Sequence, residues 1–368
     1  MKTLAIIGST GSIGKSSLKV FKKNIQEFQL LCLSANTNEK KLLNQNKIFK
    51  PKDIFLLNPK KDYKNIISKN KFLFKYKKKK IDYIISGISS FDAITLNFEL
   101  VKVCKNLLIA NKETIICGGN VFLSHAKKYN CNIVPIDSEH FCLDFFIKNF
   151  KNKKLINKFY ITASGGPFYN KKIKYKEKVK NILKHPTWKM GKKITVDSST
   201  FANKVLELFE AKILFNLKSN NIGIRVDQTS KIHAIIKLNN GLYFPITHAP
   251  SMEIPIASAL NVNHFNYLNF KNINITLLTP NIKKFPLINL GYKILREYGH
   301  IGMILFTVIN ERLVKMFLKN QINYGDIVQT LVKTFKNKKI LKKKKVNNLK
   351  EILKLINFAK TIELCVKK

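Results

Sequence analysis

Thr3-Leu4-Ala5-Ile6-Ile7-Gly8-Ser9-Thr10-Gly11-Ser12-Ile13-Gly14 is the stretch that decides the fold. Residues 3–8 form an apolar run that reads as a buried strand, and residues 13–24 carry helical periodicity. Between them lie glycines spaced G-x-x-G-x-x-G. Glycine lets the backbone turn sharply and approach a bound group, and the free N–H groups of a helix start bind phosphate. In a strand–turn–helix setting this spacing marks a dinucleotide loop; the competing reading is a plain tight turn.

Outward from this loop the pattern repeats. Apolar strands are predicted at 29–35, 53–57, 81–86, 106–110 and 132–136, with helices near 91–104 and 120–128. Such alternation predicts an α/β fold with a parallel sheet covered by helices on both faces. The middle of the chain, 138–270, is mixed. It carries strands at 158–163 and 232–238 and a helix at 200–215, with Asp197, Ser198 or Ser199 near its N-cap. Residues 266–285 read as a linker, and from Pro286 the periodicity is helical, at 287–298, 301–319, 324–335 and 347–366. The Lys-rich runs 77–80 and 336–345 read as solvated loops.

A chain of 368 residues suits two or three domains, and 45% apolar residues can build a core. No apolar run reaches the roughly 18 residues of a membrane helix. The chain enters a strand at once, which leaves no room for a leader and predicts a cytoplasmic protein. Six scattered cysteines without C-x-x-C spacing read as reduced thiols rather than disulfides or a zinc site. The net charge of +45 invites a nucleic-acid reading, but only Arg225, Arg296 and Arg312 are arginine, the usual bidentate reader of bases. Abundant Lys, Asn and Ile point instead to A- and T-rich codons. Nonspecific polyanion binding at low salt is expected, and no specific nucleic-acid partner.

After the second strand comes Asn36-Thr37-Asn38, with no acid at the strand end where an NAD enzyme holds the ribose hydroxyl. NADP is favoured, with Lys40 and Lys41 close by. Asp137-Ser138-Glu139 follows the strand 132–136, at the sheet edge where ligands of parallel sheets bind. Strand alternation would put Asp137 and Glu139 on one side if the strand conformation continues that far. Asn203, Lys204 and Glu207 share a helix face at i,i+3 and i,i+4 spacing. Three carboxylates suit Mg²⁺ or Mn²⁺ rather than zinc; capping carboxylates and surface ion pairs are the alternative. Ser164-Gly165-Gly166-Pro167 permits close backbone approach to a ligand. His185-Pro186-Thr187-Trp188-Lys189-Met190-Gly191 holds the lone tryptophan; a lone tryptophan is more often a core residue, but flanked by His, Pro, Lys and Gly it also reads as a lid loop.

The segments GSTGSIG, ANKET, PIDSEH, ASGGPF, HPTWKMG and KITVDSSTFANKVLELFEA occur together and in this order. The chain resembles the 1-deoxy-D-xylulose 5-phosphate reductoisomerases over residues 1 to about 320. The resemblance implies a Rossmann-like NADPH domain (1–137), an α+β connective catalytic domain (138–270), a linker (271–285) and a C-terminal helical bundle (286–368). It also implies a homodimer. By position, Thr10, Gly11, Ser12 and Ile13 would hold the NADPH phosphates, Asn36, Thr37 and Asn38 would lie at the adenosine end, and Asn111, Glu113 and Gly191 would also meet the cofactor. Asp137, Glu139 and Glu207 would ligate magnesium or manganese, with cobalt as a further option. Lys112, Ser138, Glu139, Ser164, His185, Ser198, Asn203, Lys204 and Glu207 would bind the sugar phosphate, and His233 matches a family histidine. Lys112, Asp137, Glu139 and Glu207 would be catalytic. The implied reaction is a metal-assisted rearrangement of 1-deoxy-D-xylulose 5-phosphate to a branched aldehyde, reduced by NADPH to 2-C-methyl-D-erythritol 4-phosphate in the non-mevalonate isoprenoid pathway.

Thr37 stands where the family usually has lysine, Phe141 where it has a small or polar residue, and Val226-Asp227-Gln228-Thr229-Ser230 replaces Val-His-Pro-Gln-Ser. None removes a proposed ligand. Three other readings compete: another NADP-linked reductase, whose activity EDTA would spare; a basic nucleic-acid-binding protein, whose sequence-dependent binding would survive physiological salt; and a degenerate, inactive relative, against which the intact Lys112, Asp137, Glu139, Lys204 and Glu207 argue.

Overall fold

A computed structural model describes residues 1–61, 65–183, 191–262, 275–336 and 345–364. They fall into two compact units. The first comprises Met1–Thr114, Asn120–Phe141 and Ser251–Asn269, and the second Ile115–Gly119, Cys142–Pro250 and Phe270–Lys368.

In the first unit Leu4, Ala5, Ile6 and Ile7 are all fully buried, as a strand covered on both faces must be. This strand, β1 (Lys2–Ile7), joins β2 (Phe28–Ala35), β3 (Asp53–Leu56), β4 (Ile81–Ser86), β5 (Cys104–Ile109) and β6 (Asn132–Pro135). All neighbours are parallel, in the order β3-β2-β1-β4-β5-β6. The order reverses between β1 and β4, so a crevice opens at the strands' C-terminal ends. The connections carry α1 (Ser12–Lys23), α2 (Glu39–Phe49), α3 (Lys69–Lys75), α4 (Asp92–Leu100) and α5 (Lys112–Lys128), and α6 (Ser138–Asn149) follows β6. The chain returns later with α10 (Glu253–Ala259), whose Ile256 and Ala257 complete the core around Leu4, Val20, Phe21 and Phe28.

Three expectations change here. The helix expected at 120–128 is the second half of α5, because Gly119 breaks the periodicity at φ 52°. The strand expected at 132–136 stops at Pro135, and α6 starts at Ser138. Asp137 and Glu139 are therefore not on one side of a strand; they sit at a helix start, where the positive end of the dipole favours carboxylates. Within the Lys-rich run 77–80, Lys80 is no free solvated charge, for its ammonium donates to the Tyr129 carbonyl.

The second unit is built on β7 (Ile156–Ala163), β8 (Ile222–Val226), β9 (Ile232–Leu238) and β10 (Tyr243–Thr247), in the order β10-β9-β7-β8. Only β7 and β8 run parallel. Its helices are α7 (Val179–Ile182), α8 (Lys192–Ser199), α9 (Ala202–Leu214), α11 (Leu287–Lys293), α12 (Gly299–Leu318), α13 (Tyr324–Thr334) and α14 (Leu349–Thr361). Helix α12 is buried nearly all round, with Ile304, Leu305, Phe306, Val308 and Ile309 inaccessible to solvent. An all-round apolar helix of this kind is the centre of a core. Among the described residues no helix is long and apolar enough to cross a membrane.

Asp197, Ser198 and Ser199 do not cap the helix expected at 200–215. They belong to α8, and α9 starts behind Phe201, whose φ is 63°. Asp197 is held instead by a tertiary partner, the Asn310 amide at 2.8 Å, and by the Lys193 ammonium one turn back in α8 at 3.2 Å. The expected linker also carries order where it is described, since Leu278 exchanges backbone hydrogen bonds with Val226 at 2.8 and 2.9 Å. The five described cysteines are free thiols, as expected.

Candidate active site

The glycine loop has the geometry its sequence predicts. Gly8 turns at φ 83°, and the Ser9 N–H donates to the Ser34 carbonyl at 2.8 Å. A Cβ on Gly14 would collide with the Gly8 carbonyl and the Ser9 backbone, so the third glycine brings helix against strand. Gly11 occupies the N-cap of α1 without a side-chain cap, and the first turn holds no acid. The helix start, with Ser12 and Ile13, thus keeps a positive end for an anion. Gln45 braces the loop, its amide donating to the Ser9 carbonyl at 3.0 Å.

Asn36, Thr37 and Asn38 are exposed at the C-terminal end of β2, with no carboxylate among them. Asn38 caps α2 by accepting from the Lys41 N–H at 3.2 Å. Asn36 accepts from the Asn58 amide at 2.6 Å. Asn58 had no motif to draw attention to it.

Where β5 ends, Asn111 caps α5: its amide oxygen accepts from the Thr114 N–H at 2.7 Å, and its NH₂ donates to Glu113 at 2.9 Å. Asn97 extends this buried network from Thr114 to Ser86. Asn111 and Glu113 are thereby fixed at the sheet's ligand edge.

Lys112 donates to the Asp137 carboxylate, and His140 meets the other Asp137 oxygen at 3.1 Å. Burial opposes the Asp137 charge, but the Lys112 ammonium and the His140 hydrogen bond outweigh it and hold the carboxyl well below the usual range. Asp137 therefore stays an anion. Ser138 donates to Glu139 at 2.5 Å. Sequence reasoning gave His140 no role; its proximity to Asp137 comes from the α6 turn.

Helix α9 carries the second group. Asn203 donates to Glu207 at 2.5 Å, and the buried Lys204 ammonium donates to Glu207 and to the Thr162 carbonyl. The shared face read from spacing is real. Ser164 follows β7 at a loop where Gly165 and Gly166 turn at φ 87° and 66°. A Cβ on Gly166 would lie 2.9 Å from the Ser198 carbonyl, so only glycine lets this loop lie against α8. Ser164, Ser198, Asn203 and Lys204 are thus built into one unit around β7. Gly191 caps α8 in open surroundings. His185, Trp188 and Met190 lie outside the described residues.

His233 is buried against His248, with ring centroids 3.7 Å apart. Asp227, one of the departures, has a structural account. Its carboxylate accepts from the backbone N–H groups of Thr229, Lys231 and Ile232 at 2.8 to 3.0 Å, closing the turn into β9.

A reversed-order parallel sheet, a glycine loop at its switch point and convergent basic and acidic side chains define a dinucleotide-dependent α/β oxidoreductase. Three family models narrow this class. One described as 1-deoxy-D-xylulose 5-phosphate reductoisomerase matches residues 4–119, one described as its C-terminal domain matches 133–215, and a DXP reductoisomerase C-terminal domain matches 248–362. A curated relative of that name from Pelagibacter ubique (strain HTCC1062) is 41% identical, covering 97% of both chains. Another from Wolbachia pipientis subsp. Culex pipiens (strain wPip) is 32% identical over 96% of this chain and 94% of its own. A solved DOX-P reductoisomerase, in complex with NADPH, fosmidomycin and magnesium, superposes with a TM-score of 0.85 at 27% identity, covering 98% of this chain and 96% of that one. This chain belongs to the 1-deoxy-D-xylulose 5-phosphate reductoisomerase family.

Proposed function

We propose that the chain converts 1-deoxy-D-xylulose 5-phosphate to 2-C-methyl-D-erythritol 4-phosphate with NADPH and a divalent metal. The observation that carries this is the Lys204–Glu207–Asn203 face of α9 beside the Ser164 loop, in a chain of this family. Ser164, Ser198, Asn203 and Lys204, together with His185, bind the substrate phosphate. Lys112 and Ser138 meet the reacting end. Thr10, Gly11, Ser12, Ile13, Asn36, Thr37, Asn38, Asn111, Glu113 and Gly191 bind NADPH.

Asp137 and Glu139 are half-buried and Glu207 is buried, and all three are hard oxygen donors. This donor set fits Mg²⁺ or Mn²⁺ and not a thiophilic ion. When bound, such an ion offsets negative charge developing on neighbouring substrate oxygens, and NADPH supplies the hydride. The protein's own residues do the rest. The phosphate contacts position the sugar, which converts remote binding energy into orientation. Lys112 holds a positive charge and a proton donor beside Asp137. The Asn97–Thr114–Asn111 network fixes the start of α5 and with it Lys112. Neither the other reductase nor the nucleic-acid reading accounts for the whole-length family match.

Three functional segments, 1–137 for NADPH, 138–270 for catalysis and 286–368 as a helical support, belong to the same reading. So do a cytoplasmic location and a homodimer. Leu242, Tyr243 and Phe244 at the sheet edge are 55%, 54% and 38% exposed, an apolar strand edge that a second copy would cover. Purified protein with NADPH, Mg²⁺ and deoxyxylulose phosphate should consume the nicotinamide absorbance, and EDTA should stop it. NADPH consumption that EDTA leaves untouched would move the assignment to another reductase.

A further inference from the structure

Resting on the NADPH reading above, we propose that Asn58, in the loop after β3, is a positioning residue that sets the preference for NADPH over NADH. Strands β2 and β3 are parallel neighbours, so their C-terminal ends emerge side by side at the ligand edge of the sheet. Three hydrogen bonds lace these ends together. The Leu57 N–H donates to the Ala35 carbonyl at 3.0 Å, the Asn58 N–H to the Asn36 carbonyl at 3.1 Å, and the Asn58 side-chain amide to the Asn36 side-chain oxygen at 2.6 Å. The last bond fixes which way the Asn36 amide faces.

An asparagine side chain has one accepting and one donating end. With its oxygen engaged by Asn58, Asn36 presents its NH₂ at the end of β2. That is where a Rossmann-type sheet meets the adenosine ribose. A ribose hydroxyl can be recognised by a carboxylate, but a ribose 2′-phosphate is an anion that needs donors. The ends of β2 and β3 supply donors: Asn36, Thr37, Asn38 and Asn58 are exposed, and Lys60 and Lys61 follow in the same loop, while the next acid along the chain, Glu39, lies in the first turn of α2. Thr37 occupies the position of the usual family lysine, so the point charge at that position is gone. The two-asparagine clamp and the β3 loop take over its task. The ligand recognised is a phosphate monoester on a ribose, and Asn58 acts through Asn36.

The test separates this clamp from the overall assignment. NADP⁺ and NAD⁺ binding is measured by calorimetry without substrate, on the whole chain and on Asn58→Ala, Asn58→Asp and Asn58→Gln. Wild type should bind NADP⁺ more tightly. Asn58→Ala should weaken NADP⁺ on the order of tenfold, the value of a hydrogen bond to a charged group, and leave NAD⁺ unchanged. Asn58→Asp should weaken NADP⁺ further, and Asn58→Gln should recover part of the loss. In turnover assays the KM for NADPH should rise while kcat holds. Equal losses for the two nucleotides, or none, would overturn the role of Asn58 while leaving the reductoisomerase reading intact. A wild-type chain that binds neither nucleotide would sink the reading itself.

Discussion

Lys204 and Glu207, one turn apart on α9, form an ion pair almost wholly removed from solvent, and the same ammonium reaches back to the carbonyl of Thr162. A buried pair of this kind costs desolvation, and removing one partner leaves the other uncompensated. The pair also ties α9 to the end of β7, next to the Ser164 loop. It is a structural joint and a ready-made charge site at once.

Glu207→Gln should keep the fold, because the amide still offers an oxygen to Lys204. It should lower turnover by at least about a hundredfold, the scale of losing a charge aimed at the reacting centre. NADPH affinity, read by calorimetry, should stay unchanged. Loss of cofactor binding with turnover preserved would contradict the metal-ligand role.

Lys112→Met removes the ammonium that helps hold the Asp137 carboxyl down, while His140 still meets the other Asp137 oxygen. Turnover should fall by about 10²–10⁴-fold, the range for a lost acid–base group. The KM for NADPH should move little. A variant with ordinary kcat would show that Lys112 serves the fold alone.

Gly14→Ala puts a methyl group into the Gly8 carbonyl and the Ser9 backbone. Overpacking of this sort costs about 1–3 kcal/mol, and the phosphate loop must shift. A lowered Tm together with weakened NADPH binding is expected. Gly191→Ala is the control for Tm alone, since nothing lies within 4 Å of the added methyl. An equal fall in Tm in the two variants would refute the packing argument.

His300 gives the stability a pH dependence. Burial lowers its pKa, and contacts with the Ile116 and Cys117 backbone offset this only in part. Its folded value lies below an unfolded value of about 6.5. The unfolded chain therefore takes up the proton first. The contribution is complete above that pH and is lost as pH falls toward the folded value. Tm should drop between neutral and mildly acidic pH, and His300→Gln should flatten that slope. An unchanged slope would assign the drop to other groups.

The glycine loop and the Asn203–Lys204–Glu207 face were legible because each depends on short-range geometry. A strand, a tight turn and a helix start follow from residues adjacent in the chain, and i,i+4 neighbours meet on any helix. Asp137 and Glu139 do come together, but through a helix start rather than strand alternation, because the chain enters α6 soon after β6 ends. Asp197, read as a cap, turned out to be a buried partner of Asn310, 113 positions away. No local pattern announces such a partner. Strand β10 was missed for a related reason: it lies at a sheet edge with Pro245 inside it, so its pattern lacks the apolar regularity of a central strand.

The sequence alone determined the class of chain, the nucleotide loop and the roster of acidic and basic groups, since these rest on composition and on spacing within one element. The tertiary structure decided which groups stay charged and which glycines cannot be replaced. It also joined Asn58 to Asn36. Those outcomes depend on burial and on contacts between strands distant in the chain, where neighbouring dipoles and charges, not local propensity, set the energy.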